Sequence, residues 1–384
     1  MFLGLIAACG LATGFTAALT APLAVELGAS EFAAGVSVSS LTMIVLVADV
    51  FGTRALPYLE PRRSIAIGMA LWGTGSVATT FSPSFALLET SRLLQGVGLA
   101  LFAAAGPELA LRLAKPDRFG TALGEFQSAQ VFGAMASPIL GGGLAALWPG
   151  VPGLRVAFFV CGLIAFACAA ASLLLLPRLP SGVKPRISTP YLPGLGAPRS
   201  LTVVTTAAVG QGMRGTIGLT VIPLMAVGIM NMTNFAVGIL LASSYLIESL
   251  VGRSAGAISD RTGRRPVVVV GALAGAVGVA MLLGAHHLEN QVLFCAVVVP
   301  FGLSGGILLG VLPTTVVDVA ARPEVGVAGM RLARDLGFSI MPVLAGGMIA
   351  TAGMVSGLAF CSGAFASVLA ATLGVGETRR PAAE

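Results

Sequence analysis

Long apolar stretches, separated by short charged or glycine- and proline-rich interruptions, run along the whole chain. A helix needs about 20 predominantly apolar residues to cross the hydrocarbon core of a bilayer. Cutting the chain at its interruptions predicts twelve such helices, at residues 2–25, 32–52, 64–81, 86–111, 121–146, 155–176, 201–226, 234–254, 266–285, 291–316, 327–350 and 355–374. The pattern therefore predicts an all-α polytopic membrane protein with little chain left for a soluble domain.

The composition excludes a water-soluble globule. Of the 384 residues 56% are hydrophobic and 10% are charged, and the mean hydropathy is +0.95, whereas soluble domains carry about 25% charged residues. The 51 glycines suit membrane helices, because small residues let neighbouring helices approach closely. The first apolar stretch has no basic region before it and is too long for the core of a signal peptide, so it is predicted to be the first span.

Residue types that carry chemistry are sparse. The five cysteines lie in apolar stretches without a C-x-x-C spacing, and the two histidines are neighbours in a predicted outer loop. This pattern predicts neither a disulfide framework nor a metal site. Because the chain also lacks the G-x4-G-K-[ST] loop of nucleotide-driven pumps, we expect no enzyme and no cofactor, with a proton gradient as the energy source.

The positions of the basic residues predict the orientation. With the N-terminus inside, 17 of the 22 Lys and Arg residues fall in cytosolic segments and only Arg155 falls in an outer loop. Cytosolic loops carry an excess of Lys and Arg, so we expect both termini in the cytosol and the protein in the inner membrane. The net charge of +6 therefore reflects topology and does not indicate a nucleic-acid partner.

Two internal correspondences predict a duplicated six-helix unit. Residues 133–142 match residues 337–346 at an offset of 204, and residues 54–63 match residues 256–265 at an offset of 202. The predicted organisation is an N-terminal bundle at 1–176, a proline-rich cytosolic linker at 177–200, a C-terminal bundle at 201–374 and a cytosolic tail at 375–384.

Three motifs carry a family resemblance. The gating-loop motif between spans 8 and 9 comprises Gly256, Asp260, Arg261, Gly263, Arg264 and Arg265; the span 4 motif comprises Arg92, Gln95, Gly96 and Gly98; the span 5 motif comprises Gly124, Gly133, Pro138 and Gly141. In these residues the chain resembles the major facilitator superfamily, whose loop signature is G-x-L-a-D-R-x-G-R-R. The resemblance implies two pseudo-symmetric six-helix bundles around a central site, and the span 5 motif, which is similar to an antiporter motif, favours export.

In the second-half loop, Asp260 is expected to accept hydrogen bonds from backbone amides at a neighbouring helix start and to pair with arginines, so Asp260 and Arg261 are interpreted as a gating lock. The chain departs from the family pattern at two places. In the first-half loop Tyr58 replaces the acidic residue, so such a lock there requires Asp49 or Glu60 as a substitute. Span 1 has no acidic residue, which disfavours the export of cationic drugs.

Charged residues inside the predicted spans are the candidates for a substrate and proton pathway. Arg214 has no acidic neighbour at helical spacing, so its partner is Glu248, Glu125 or an anionic group of a substrate. Glu248, which lies deeper and ranks first, and Glu125 are also the candidate proton carriers, since desolvation inside a span disfavours the charged carboxylate. For Glu125, a salt bridge with Arg112 or Arg118 is the alternative.

Two further groups have alternative interpretations. Arg92 either forms a fixed pair with Glu89 or tunes a nearby carboxylate. In span 11, Arg331 and Asp335 lie four residues apart and can neutralise each other, which favours a structural role with Arg334 left over.

The sequence thus predicts a monomeric secondary transporter, with the lipid bilayer, protons and a small-molecule substrate as its partners. It would export a small organic molecule, neutral or anionic rather than cationic, by proton antiport with alternating access. A proton-coupled uptake symporter and a non-transporting sensor of the same fold are the alternatives.

Overall fold

A computed structural model describes residues 1–51, 60–113, 119–178, 198–320 and 323–378. Throughout these ranges the regular elements are helices, which confirms the predicted all-α class. The helices are α1 (Phe2–Gly14), α2 (Thr20–Glu26), α3 (Glu31–Phe51), α4 (Pro61–Thr80), α5 (Phe85–Leu113), α6 (Phe119–Ala146), α7 (Val151–Leu175), α8 (Pro198–Thr216), α9 (Ile222–Gly228), α10 (Asn234–Thr262), α11 (Arg264–Leu288), α12 (Gln291–Ala296), α13 (Val298–Val319), α14 (Pro323–Ala352) and α15 (Met354–Val375).

These helices form twelve rods in the described part of the chain, because three rods are interrupted. A 3-10 turn, Ala17–Leu19, separates α1 from α2, and a π-helical turn, Ile217–Val221, separates α8 from α9. The third interruption lies at Val297, between α12 and α13. Ten described stretches are long and apolar enough to cross a membrane, so the predicted membrane class is confirmed.

The predicted spans agree with the rods to within four residues at every end except one. The predicted span 234–254 continues as α10 to Thr262, so the predicted loop is wrong and most of the gating-loop motif is helical. Gly263 alone breaks the helix, at a φ of 98°, and α11 begins at Arg264. Glycine adopts this positive φ without a steric cost, which makes a one-residue turn between two spans feasible.

The described residues cluster into two compact units. Unit 1 contains Met1–Ala29, the chain from Ser40 through α7, and Thr233–Ile239. Unit 2 contains Ser30–Ser39, α8, α9 and the chain from Leu240 to the last described residue, Thr378. Most of the predicted linker 177–200 and of the predicted tail 375–384 lies outside the described residues.

The same glycine-mediated helix contact occurs within each unit. In unit 1, a Cβ on Gly133 of α6 would collide with the backbone of Ala7 and Leu11 in α1. In unit 2, a Cβ on Gly337 of α14 would collide with the backbone of Ala208 and Gly212 in α8. Because Gly133 and Gly337 are partners in the internal repeat, the contact supports the predicted duplication.

The motif glycines of spans 4 and 5 therefore have a packing function. Gly141 approaches the backbone oxygen of Phe15, while Gly96 packs on Ile44 and Gly98 packs on the backbone of Gly68 and Trp72. The surroundings of Gly124 lie outside the described side chains. Pro138 lies inside α6, where it removes one helical hydrogen bond.

The close contact at Gly337 predicts that alanine destabilises the protein at this position but not at a glycine without such a contact. Gly337→Ala should lower the free energy of unfolding by about 1–3 kcal/mol, because the added methyl group overpacks α14 against α8. Gly363→Ala in α15 is the matched control, because no atom lies within 4 Å of its added Cβ. Thermal unfolding of the two purified variants in detergent measures the effect of each substitution. Equal melting temperatures of the two variants would contradict the packing role of Gly337.

Candidate functional site

The central feature of unit 2 is an ion pair between the middles of two rods. Glu248 is the middle residue of α10, Asn234–Thr262. Arg214 lies in the last turn of α8, next to the middle of the rod Pro198–Gly228. Its Nε–H donates to both carboxylate oxygens of Glu248, at 2.9 Å to Oε1 and 2.7 Å to Oε2. The structure thus joins Arg214 to Glu248, one of the partners that the sequence offered.

The guanidinium of Arg214 uses only part of its hydrogen-bonding capacity in this pair. Among the described residues its two terminal nitrogens, Nη1 and Nη2, have no hydrogen-bond partner, and 23% of the side chain is exposed. The guanidinium also lies over the ring of Tyr245, with Cζ 4.5 Å from the ring centre, which is a favourable cation–π distance. Arg214 therefore holds Glu248 and still offers four N–H groups to a ligand.

Tyr245 and the small residues of α13 were not identified from the sequence. Tyr245 precedes Glu248 by three residues, so both lie on one face of α10. This spacing is the sequence feature from which Tyr245 could have been identified. A Cβ on Gly305 would lie 2.8 Å from Oε2 of Glu248. Gly302 packs in the same way against Ile247. The glycine-rich start of α13 thus allows the Glu248 carboxylate to lie against its backbone.

Two buried polar groups flank the ion pair along its helices. Gln211 lies one turn before Arg214 and is 2% exposed, and Ser244 lies one turn before Glu248 and is 1% exposed. In the described part of the chain, neither the Gln211 Nε2 atom nor the Ser244 hydroxyl has a hydrogen-bond partner. Buried polar groups without partners cost free energy, which is a feature of sites that bind a ligand or ordered water.

In unit 1, Arg92 belongs to a buried hydrogen-bond chain. Arg92 is 4% exposed, and its Nη1 donates to Oε1 of Gln95 at 2.6 Å. Gln95 Nε2 donates to the hydroxyl of Ser76 at 2.9 Å, and that hydroxyl lies 3.5 Å from the sulfur of Cys161. The chain links α5, α4 and α7, so this part of the span 4 motif has a structural contribution.

The two remaining candidate carboxylates differ in their surroundings. One oxygen of Glu89, Oε1, is buried without a hydrogen-bond partner among the described residues. Glu125 is exposed and lies before the apolar stretch Ser128–Ala146 of α6. The roles of Glu89 and Glu125 stay predictions.

The gating-loop motif is centred on Arg264 rather than on Asp260. Arg264 donates through Nε to Oδ2 of Asp318 at 3.0 Å, and through Nη1 to Oδ1 of Asp260 at 2.5 Å. The side chain of Asp260 is 66% exposed, whereas those of Arg264 and Asp318 are 12% and 18% exposed. The pair with Asp318 is thus better shielded from water, so removing one of its two partners costs more than removing the exposed Asp260. Arg261, for which the sequence favoured the same lock, is exposed.

Glu377 takes the role that the sequence interpretation gave to Asp260. Its two carboxylate oxygens accept the backbone N–H groups of Arg264 and Arg265, at 2.9 and 3.1 Å. These amides begin α11, where the helix dipole favours a negative charge. Arg199, at the start of α8, donates to the backbone oxygen of Glu377 at 2.7 Å. Neither Glu377 nor Asp318 was identified, because both lie far from the motif along the chain.

The corresponding loop of the first half is only partly described. Residues 52–59, which include Tyr58, lie outside the described residues, as does the side chain of Asp49. Glu60 precedes α4 and pairs with Arg62 and Arg63, at 3.6 and 3.3 Å. Glu60 thus supplies a carboxylate at this helix start.

In the parts of the chain that the structure covers, no group of three or more His, Cys, Asp or Glu side chains lies close enough to hold a metal ion.

Comparison with known proteins agrees with this architecture. The purine ribonucleoside efflux pumps NepI of Escherichia coli (strain K12) and Shigella sonnei (strain Ss046) are each 27% identical over 163 residues, which is 42% of this chain and 40% of each pump. A solved nucleoside transporter, NupG, superposes with a TM-score of 0.75 at 12% identity, covering 97% of both chains. A D-xylose-proton symporter superposes with a TM-score of 0.77 at 16% identity, covering 97% of this chain and 96% of the symporter.

The alignments with the efflux pumps cover less than half of their length, and the two superpositions show a shared fold. A family model described as Major Facilitator Superfamily matches residues 1–342. The chain therefore belongs to the major facilitator superfamily.

Proposed function

We propose that this transporter exports a neutral, hydroxyl-rich small molecule from the cytosol in exchange for protons, with purine ribonucleosides as the first class to test. The observation that carries the proposal is the Arg214–Glu248 ion pair in the middle of two rods. Charged groups at this depth are costly, so they are usually found where they bind or move something.

The pair offers both kinds of hydrogen-bonding group to a neutral ligand. The terminal nitrogens of Arg214 donate, and the carboxylate oxygens of Glu248 retain lone pairs beyond the single shared Nε–H. A sugar hydroxyl can donate to the carboxylate, while a ring nitrogen or carbonyl oxygen accepts from the guanidinium.

The same geometry relates the chemistry of the substrate to the direction of proton coupling. If hydroxyl groups of the substrate bind to ionised Glu248, protonation of that carboxyl weakens binding, so proton and substrate compete, as antiport requires. An anionic substrate would instead bind Arg214 and would gain from protonation of Glu248, which gives symport. The sequence leaves both neutral and anionic substrates open. Of these two, proton antiport favours a neutral substrate.

Two observations support export as the direction. The alignments that cover 42% of the chain are to proteins named efflux pumps. Span 5 carries Gly133, Pro138 and Gly141 of the antiporter-like motif, and the two glycines place α6 against α1. An inner-membrane location with both termini in the cytosol, as predicted from the Lys and Arg distribution, completes the proposal.

Transport into inverted membrane vesicles tests both direction and coupling. With an acidic interior, vesicles that contain the protein should accumulate radiolabelled inosine, because protons leave as substrate enters, and a protonophore should abolish the accumulation. Vesicles without the protein are the control. Proton-driven uptake into right-side-out vesicles would instead identify a symporter, and inosine binding without flux would identify a sensor.

Substitution of the ion pair tests the competition between proton and substrate. Glu248→Gln should raise the half-saturating inosine concentration at least about tenfold, because a hydrogen bond to a charged acceptor contributes about 1.5–3 kcal/mol. The wild type should bind inosine more weakly as the pH falls, whereas the variant should lose this dependence. Equilibrium binding to purified protein measures both, with Glu26→Gln, which removes an exposed charge in unit 1, as the control. Unchanged affinity and pH dependence in Glu248→Gln would contradict the assignment.

The cytosolic cluster predicts unequal effects of its two aspartates on transport rate. Asp318→Asn should slow transport at least about tenfold, since it leaves the shielded Arg264 without its better-buried partner. Asp260→Asn should slow transport less than about threefold, because an exposed pair contributes about 0–1 kcal/mol. Initial rates, normalised to the amount of protein in the membrane, measure this order. A larger effect of Asp260→Asn than of Asp318→Asn would contradict this prediction and support a gating role for Asp260.

A further inference from the structure

Asp335 is a buried carboxylate that the proposed substrate site does not use. It lies on α14, nearly two turns inside the apolar stretch Gly329–Ala352, and it is 3% exposed. An acidic side chain at this position loses most of its hydration, so its charged form requires full hydrogen bonding from the protein.

The structure supplies only half of that hydrogen bonding. Oδ1 of Asp335 accepts from Nε of Arg334 at 2.9 Å. The second oxygen, Oδ2, is buried and accepts no hydrogen bond from any described residue. Consecutive helical residues point to different faces, so Arg334 reaches Asp335 at one point only, and 39% of the Arg334 side chain remains exposed. Glu248, in contrast, has both oxygens bonded to Arg214.

The helices that pack on α14 carry other charges. The packing elements include α8, α13, α15 and the π-helical turn Ile217–Val221, and also α3, which contacts Pro342 and Gly346 through Gly35 and Glu31. Their described charged residues are Arg199 and Arg214 of α8, Asp318 of α13 and Glu31 of α3. The first three bind Glu377, Glu248 and Arg264 respectively, whereas Glu31 lies beside Gly346, at a distance along α14 from Asp335. On α14 itself, Arg334 is a partner of Asp335 and is not the leftover arginine that the sequence interpretation expected.

Asp335 is also placed to respond to movement of α8. Gly337, two residues further along α14, contacts the backbone of Ala208 and Gly212. Arg214 follows Gly212 by two residues, so the same helix contact adjoins both Asp335 and the ion pair. A shift between α8 and α14 would therefore change the surroundings of both carboxylates together.

We propose that Asp335 is a second proton-binding carboxylate of the transport cycle, distinct from Glu248. The buried, unbonded Oδ2 is the atom that would take up the proton, and access of water to it is the step that would release the proton. One O–H bond forms with a proton from the outer side and breaks towards the cytosolic side, so nothing is oxidised or reduced. This assignment rests on the proposed proton antiport: Glu248 couples protons to substrate binding, and Asp335 carries a proton without contacting substrate.

The experiment separates proton coupling from substrate binding in proteoliposomes that contain the full chain. Exchange of radiolabelled inosine for unlabelled inosine requires binding and alternating access but no net proton movement. Accumulation driven by an imposed pH gradient requires proton movement as well. Asp335→Asn should keep exchange within about twofold of the wild type and reduce gradient-driven accumulation at least about tenfold. Asp335→Glu should restore part of the accumulation, and Glu26→Gln should alter neither measurement.

The alternatives give different results. Gradient-driven accumulation that survives Asp335→Asn, or loss of exchange together with accumulation in a folded variant, overturns the role of Asp335 alone. Wild-type exchange without any response to the gradient overturns the proposed antiport and the Asp335 assignment with it.

A labelling measurement on the wild type keeps the proposal testable if Asp335→Asn does not fold. Dicyclohexylcarbodiimide adds to protonated carboxyl groups in apolar surroundings, where the acid adds across a C=N bond without a leaving group. Mass spectrometry should find the adduct on Asp335 after treatment at acidic pH, and less of it at alkaline pH. Absence of the adduct at acidic pH, with a reagent that labels another carboxyl group of the protein, would overturn the proposal.

Discussion

The exclusion of water from the hydrocarbon core is the constraint on which the other features depend. Without water, each backbone N–H and C=O must be satisfied inside the chain, so helices are the form that apolar stretches of this length adopt. The same constraint acts on side chains, because a charge inside a span is tolerated only with a partner or with access to water. Charged residues inside the rods accordingly have polar partners: Arg214 pairs with Glu248, Arg92 with Gln95, and Asp335 with Arg334.

Close helix packing replaces the hydrophobic effect as the source of cohesion within each unit. Lipid tails are as apolar as leucine, so helices gain little by burying such side chains against each other. They gain by close approach, which Gly133 permits in unit 1 and Gly337 permits in unit 2. Because these contacts bring one backbone against another, a side chain larger than that of glycine would separate the two helices.

The cytosolic end of unit 2 combines these constraints with a charge network. Gly263 reverses the chain in one residue, which places Arg264 at the start of α11, within reach of Asp260 and Asp318. Glu377 binds the exposed amides of the same helix start. Residues from α10, α11, α13 and the segment after α15 thus meet at one point. A change in any one of these helices alters the hydrogen bonding of the others.

The sequence alone determined the membrane class and the family, and it predicted twelve spans and an internal duplication, because these depend on local hydropathy and on motifs that are contiguous along the chain. It failed at the end of α10, where charged residues resemble a loop although the helix continues to the glycine that breaks it. Only the tertiary structure decided which charges pair. Arg214 had several candidate partners, and the crossing of α8 and α10 selected Glu248. Asp318, Glu377 and the half-bonded state of Asp335 depend on contacts between distant segments, and no spacing along the chain encodes a distance between two helices.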